Sequence, residues 1–199
     1  MWIGSALCAA LALAGGVLAV LGIGERGLNA ALAATARLAF LLFLPAYAGG
    51  ALVALFGAIF QPVRAHAREF GLAFASALLV HLGFVVWRTL AGDPPSASTV
   101  MFFGVGAVFA YLLALFSIES LRLALGQKYW LALSKVGMNY IAYAFFVDFA
   151  KRPLEGGIRR VAEYLPFVIL AVAAPALRLA AFAKRYARDR LSRAVWHGR

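Results

Sequence analysis

One histidine lies deep inside an apolar stretch of this chain, and it has more chemistry to offer than any other residue. His81 falls within Phe70–Leu90, a run that stays uncharged until Arg88. At about 1.5 Å per residue it lies about 17 Å along a helix begun at Phe70, near the middle of a hydrocarbon layer about 30 Å thick. Ionisable groups are costly at that depth and are functional candidates by default. A neutral imidazole there either hydrogen-bonds a neighbouring helix or serves as an axial ligand to haem iron. The other ionisable groups in apolar runs, Arg37, Lys135, Asp148, Glu163 and Arg178, all lie nearer the ends of their runs. Asp148 is in i+3 and i+4 reach of Lys151 and Arg152, and Lys135 can extend its ammonium to headgroups. His66, between Arg64 and Arg68, reads as an interfacial side chain, and His197 as part of a charged tail.

Several chemistries are excluded by missing patterns. There is no HExxH, no glycine-rich phosphate loop and no Cys/His metal spacing. No serine stands in a nucleophile-elbow context. Hydrolase and ATPase functions therefore have no support. The single cysteine, Cys8, rules out an intrachain disulfide framework.

The elements that must position His81 follow from composition. Of the 199 residues, 64% are hydrophobic and 14% charged. Soluble domains sit near half apolar and a quarter charged. Six apolar runs are long enough to cross a bilayer: Trp2–Ile23, about Ala31–Phe60, Phe70–Leu90, Val100–Ile118, Tyr129–Phe149 and about Val161–Phe182. Turn chemistry separates them, at Gly22–Gly27, Gln61–Arg64, Gly92–Ser96 and Lys151–Gly157. Pro45, Pro166 and Pro175 fall within runs and are expected to kink them. The expected fold is all-α, an integral membrane bundle of six transmembrane helices over residues 1–183, followed by a basic tail at 184–199.

Charge orients the bundle. The chain carries 19 Lys+Arg against 8 Asp+Glu, a net charge of +11. With six spans both termini share a side. That side holds Arg64, Arg68, Arg122, Lys128 and the basic tail. The opposite loops hold Arg26, Arg88, Lys151, Arg152, Arg159 and Arg160. The excess puts both termini in the cytoplasm, with the bacterial inner membrane as the expected location. The same distribution reads as affinity for anionic lipid rather than for nucleic acid.

Three segments carry a family resemblance. They are Thr35–Phe40; Arg68–Phe74 followed by His81; and Ser117–Ser120 followed by Leu125–Lys135, which contains Leu-Gly-Gln-Lys-Tyr-Trp-Leu-Ala-Leu-Ser-Lys. In order and spacing they resemble the ferric reductase-like transmembrane domain family. That family includes the haem-bearing membrane subunit of the bacterial methionine sulfoxide reductase system and the membrane part of the NADPH oxidases. The resemblance implies electron transfer through a b-type haem ligated by His81. It also implies a separate redox partner supplying electrons from a quinol or reduced flavin, because no flavin or nicotinamide domain follows the sixth run. Arg68 and Lys135 could pair with the haem propionates or simply with lipid phosphates, of which lipid is the stronger expectation.

The departures from the family pattern are specific. The family's fifth helix carries two haem histidines. Ser134 stands at the first position, with Lys135 in place of the companion arginine, and Phe146-Val147-Asp148 stands at the second. His66 cannot complete a bis-histidine site with His81, since it lies about 22 Å away along one helix. Met138 offers a thioether one turn beyond Ser134, as in His/Met cytochromes. The arrangements left open are a five-coordinate haem on His81, a His/Met pair, a haem shared between two copies, and a haem-less subunit that binds a quinone, a lipid or another membrane protein. A small-solute transporter is the third class, disfavoured by the scarcity of charge near mid-membrane.

Overall fold

A computed structural model describes residues 2–151 and 158–197, without the side chains at 159, 189 and 191–197. The described residues are all-α. In chain order they form α1 (Trp2–Leu21), α2 (Glu25–Phe56), a 3-10 turn (Ala58–Phe60), α3 (Gln61–Ala65), α4 (Ala67–Leu90), α5 (Ala97–Leu115), α6 (Glu119–Leu125), α7 (Gln127–Lys151) and α8 (Ile158–His197). Residues 152–157 of the connection between α7 and α8 lie outside the described residues, and Arg152 with them.

Five helices are long and apolar enough to cross a membrane: α1, α2, α4, α5 and residues Arg160–Arg188 of α8. Large apolar side chains cover the outside of the bundle, among them Val20, Met101, Leu179 and Phe182. Such a surface is tolerated in lipid and not in water. The chain is a membrane protein by that measure. The fifth apolar run forms α7, whose 25 residues include Lys135, Asn139 and Asp148. It is not among the five.

The helix ends differ from the sequence expectation in instructive ways. The second helix begins at Glu25, six residues ahead of the apolar run that starts at Ala31, and stops at Phe56. It stops because Gly57 takes φ 87°, a conformation that glycine adopts without strain. Pro62 then sits in the first turn of α3, where its missing N–H costs nothing. The expected loops after the second and fourth runs are therefore short helices, α3 and α6. Pro45, Pro166 and Pro175 all lie inside helices that continue through them. α8 also does not stop at residue 183 but carries the basic segment onward as helix to His197.

α2 is the axis of the bundle and packs against α1, α4 and α8. Its buried side chains include Ala31, Thr35, Ala39, Phe43, Tyr47 and Ala51, one every four residues. A four-residue step overshoots the helical repeat by about 40°. From Ala31 to Ala51 the buried stripe therefore winds about halfway round the helix, which is how one helix serves several neighbours. Around it lies an aromatic core. Phe40 packs edge-on to Phe149 at 4.9 Å, and Phe43 stacks on Tyr47 at 5.2 Å. α5 and α7 meet through small residues, where Gly137 faces Phe109 and Gly106 faces Tyr140.

α1 and α2 are joined by a very tight turn. Gly22 has φ 81°, and its carbonyl lies directly over Gly27. A Cβ on Gly27 would collide with that carbonyl oxygen, which is backbone and cannot swing aside. Gly27→Ala should therefore destabilise the bundle by about 1–3 kcal/mol, the usual cost of forcing atoms into a filled space. Thermal unfolding in detergent, compared with Gly50→Ala where the added methyl meets nothing, will show a lowered midpoint for the first variant alone.

Candidate functional site

A cavity of about 350 Å³ opens between the α2–α4 and α5–α7 pairs, with His81 in its wall. It exists because small residues face it. Ala33 and Ala36 from α2, Gly104 and Ala107 from α5, and Ala144 from α7 leave volume that larger side chains would fill. Aromatic rings complete the apolar surface: Phe74, Phe103, Phe145, Phe149 and the ring of Tyr164. Polar groups gather at one end, where α2 and α5 begin and α4 and α7 finish. These are Asn29, Arg88, Thr99 and Asp148. Arg88 is held there by Asp93, with Nε donating to Oδ2 at 2.8 Å. The volume lies at the lower end of the range for small-molecule pockets, about 300–1,000 Å³.

His81 is oriented by Thr35. The Thr35 hydroxyl lies 2.8 Å from the Ala31 carbonyl one turn back and 3.1 Å from Nδ1 of His81. The hydroxyl thus sits between the backbone of its own helix and the imidazole of α4. A hydrogen bond to one ring nitrogen of this kind fixes the orientation of a ligating histidine. Thr35 is fully buried, so water does not compete for the contact.

Two further polar groupings tie helices together. Arg37 of α2 stands 3.8 Å from the Glu163 carboxylate of α8 and lies over the Tyr164 ring at 4.4 Å. Since Tyr164 lines the cavity, this pairing holds α8 against the cavity's polar end. In the other half of the bundle, Tyr47 of α2 donates to Oδ1 of Asn139 of α7 at 2.9 Å. The Arg178 guanidinium of α8 lies 4.3 Å from the centre of the same Tyr47 ring.

The residues singled out by sequence are only partly brought together. Arg68 lies in the first turn of α4 and Lys135 in α7; both are exposed, and neither lines the cavity beside His81. Met138 packs against the hydrophobic core and not on the cavity wall. The Ser134 hydroxyl is buried without a hydrogen-bond partner. Of the Phe146–Asp148 stretch, Asp148 reaches the cavity. His66 caps α3, its ring Nδ1 donating to the Pro62 carbonyl at 2.9 Å, and packs on Trp2. Among the described residues, no cluster of three or more His, Cys, Asp or Glu side chains is placed to hold a metal ion.

These walls fit a flat, largely apolar ligand that meets one imidazole. For a b-type haem, His81 would be the axial ligand, and Arg88 and Asn29 at the polar end suit its carboxylates. The α7 side supplies Phe145, Asp148 and Phe149, with no second imidazole, thioether or thiolate. The donor set therefore fits a haem with one protein ligand and does not fit a bis-histidine centre. Sequence reasoning missed Thr35 and the Arg37–Glu163 pair. The signal for Thr35 was present: it is the one hydroxyl in the small-residue series Ala31, Thr35, Ala39.

No family model, curated protein or solved structure matches the chain.

Thr35→Val removes the hydroxyl and keeps the shape. It should cost about 1 kcal/mol, the scale of an interhelical hydrogen bond within a membrane, and Thr35→Ser should restore most of that. Unfolding midpoints of the three proteins in one detergent check the prediction.

Proposed function

We propose that this chain is a membrane electron-transfer subunit that carries a b-type haem on His81 in a bundle of six spans. The observation that carries the reading is the Thr35–His81 contact at 3.1 Å, which anchors the one imidazole in the wall of a largely apolar cavity. The three sequence segments that resemble the ferric reductase-like transmembrane domain family support it. So does the place where that family carries its second fifth-helix histidine, because here it opens on the same cavity through Asp148.

α7 is the sixth span in this reading. Its 25 residues reach about 37 Å, enough for the hydrocarbon layer. It packs against α5 and α8, both apolar enough to cross. Two of its polar groups are served from within: Asn139 by Tyr47, and Tyr140 by donation to the Phe102 carbonyl at 3.0 Å. Both termini then lie in the cytoplasm of a bacterial inner membrane, and the polar end of the cavity faces the opposite side.

Bound haem supplies one-electron exchange at its iron. His81 would hold the iron, with Thr35 hydrogen-bonded to its imidazole, and the phenylalanine walls would flank the ring. Arg88 and Asn29 at the polar end would meet the carboxylates. Electrons come from a separate partner, with a quinol or reduced flavin as the source. The second reading is a haem-less subunit that takes a quinone or lipid in the same cavity. The lack of a second ligating side chain on α7 favours it.

The visible spectrum of the purified protein decides between them. With ample haem supplied during expression, the wild type will show a Soret band that shifts with dithionite and again with carbon monoxide, as an open coordination position requires. His81→Ala will lose it. A colourless wild type with no iron would leave the binding-subunit reading standing alone. The topology has its own test in a Cys8→Ser background. Cysteines introduced by Ser98→Cys and Ser120→Cys will react with an impermeant thiol reagent from opposite faces of sealed vesicles. Labelling of both from one face would remove the six-span arrangement.

A further inference from the structure

Far from His81, where the end of α2 meets α3 and α8, Arg64, Lys184, Arg185 and Arg188 surround a depression of about 390 Å³. No carboxylate lines it among the described residues. None of the four takes part in the ion pairs Arg37–Glu163, Arg88–Asp93 or Arg122–Glu119. Two of them are tethered to backbone. Lys184 Nζ donates to the Ala54 carbonyl at 2.9 Å, and Arg185 to the Gly50 carbonyl at 3.5 Å. Those carbonyls lie toward the negative end of the α2 dipole, which amounts to about half a charge. Four unit charges are drawn together against that.

We infer that this depression is a binding site for the phosphate of an anionic phospholipid headgroup. Arginine forks match phosphate oxygens in geometry as well as in charge. The surroundings favour a lipid over a free ion. Ile59 on the adjoining 3-10 turn is 79% exposed, and Leu179, one turn before the basic cluster on α8, is 70% exposed. Apolar surface therefore borders the cations where acyl chains would descend. The short α3 makes the site possible: it folds back so that Arg64 packs against Gly49, where the absent side chain admits the Arg64 backbone to 3.5 Å from the Cβ position.

The test uses the full chain reconstituted with an equimolar mixture of phosphatidylglycerol and phosphatidylcholine, then extracted in mild detergent, with retained lipid counted by mass spectrometry. The wild type should keep phosphatidylglycerol over phosphatidylcholine. Arg64→Gln/Arg188→Gln should lower that preference about thirtyfold, the scale of losing two cation–phosphate contacts. Arg122→Gln/Lys128→Gln, with the same loss of charge outside the depression, should leave it intact. If the first pair does not fold, Lys184→Gln reads the same loss singly. Equal retention of both lipids by the wild type, or an equal drop in the two double variants, would overturn the site. Displacement of the lipid by millimolar inorganic phosphate would overturn the lipid assignment in favour of the free anion.

Discussion

The hydrocarbon interior offers no water, so each polar group carried into it must find its partner on another part of the protein. That constraint orders most of the specific contacts in this bundle. Thr35 is satisfied by its own helix and then serves His81. Tyr47 serves Asn139, and Tyr140 serves the Phe102 carbonyl. Each pairing crosses from one helix to another, so together they specify which helices are neighbours. The apolar surface cannot do this, since a leucine meets lipid as readily as it meets another leucine. The contacts that look secondary by energy are the ones that select the arrangement.

Side-chain size does the remaining work. In α4, α5 and α7 no polar face stands against an apolar one, so the usual amphipathic signal is missing there. α2 instead carries a stripe of small or aromatic residues at four-residue spacing, and α1 a stripe of alanines. Such patterns are written in volume rather than polarity. The helical class and the apolar runs were readable directly, because lipid demands them of the sequence. The neighbour relations were not. Small residues say where a helix is approached, not by which helix.

The candidate site was legible to a similar extent. His81 stood out because an imidazole in an apolar run is unusual. Thr35, forty-six positions away in sequence, could not be joined to it without knowing that α2 and α4 pack together. The cavity was invisible because it is made by what Ala33, Gly104, Ala107 and Ala144 lack, on three different helices. Arg68 and Lys135 stand out by charge near helix ends, yet depth along a helix says nothing of direction around it. The short helices α3 and α6 look like loops in the sequence because each is too brief to show periodicity.

The alanine seam of α1 has a geometric consequence. Ala6, Ala10 and Ala14 are its buried residues, and a slide by one turn would lay alanine where alanine had been. The seam thus chooses a face but is nearly blind to register. What stops the helix from slipping lies at its two ends. Trp2 is wedged against the rings of His66 and Phe70, and Gly22 is folded hard onto Gly27. α1 is thus held in register chiefly from its two ends.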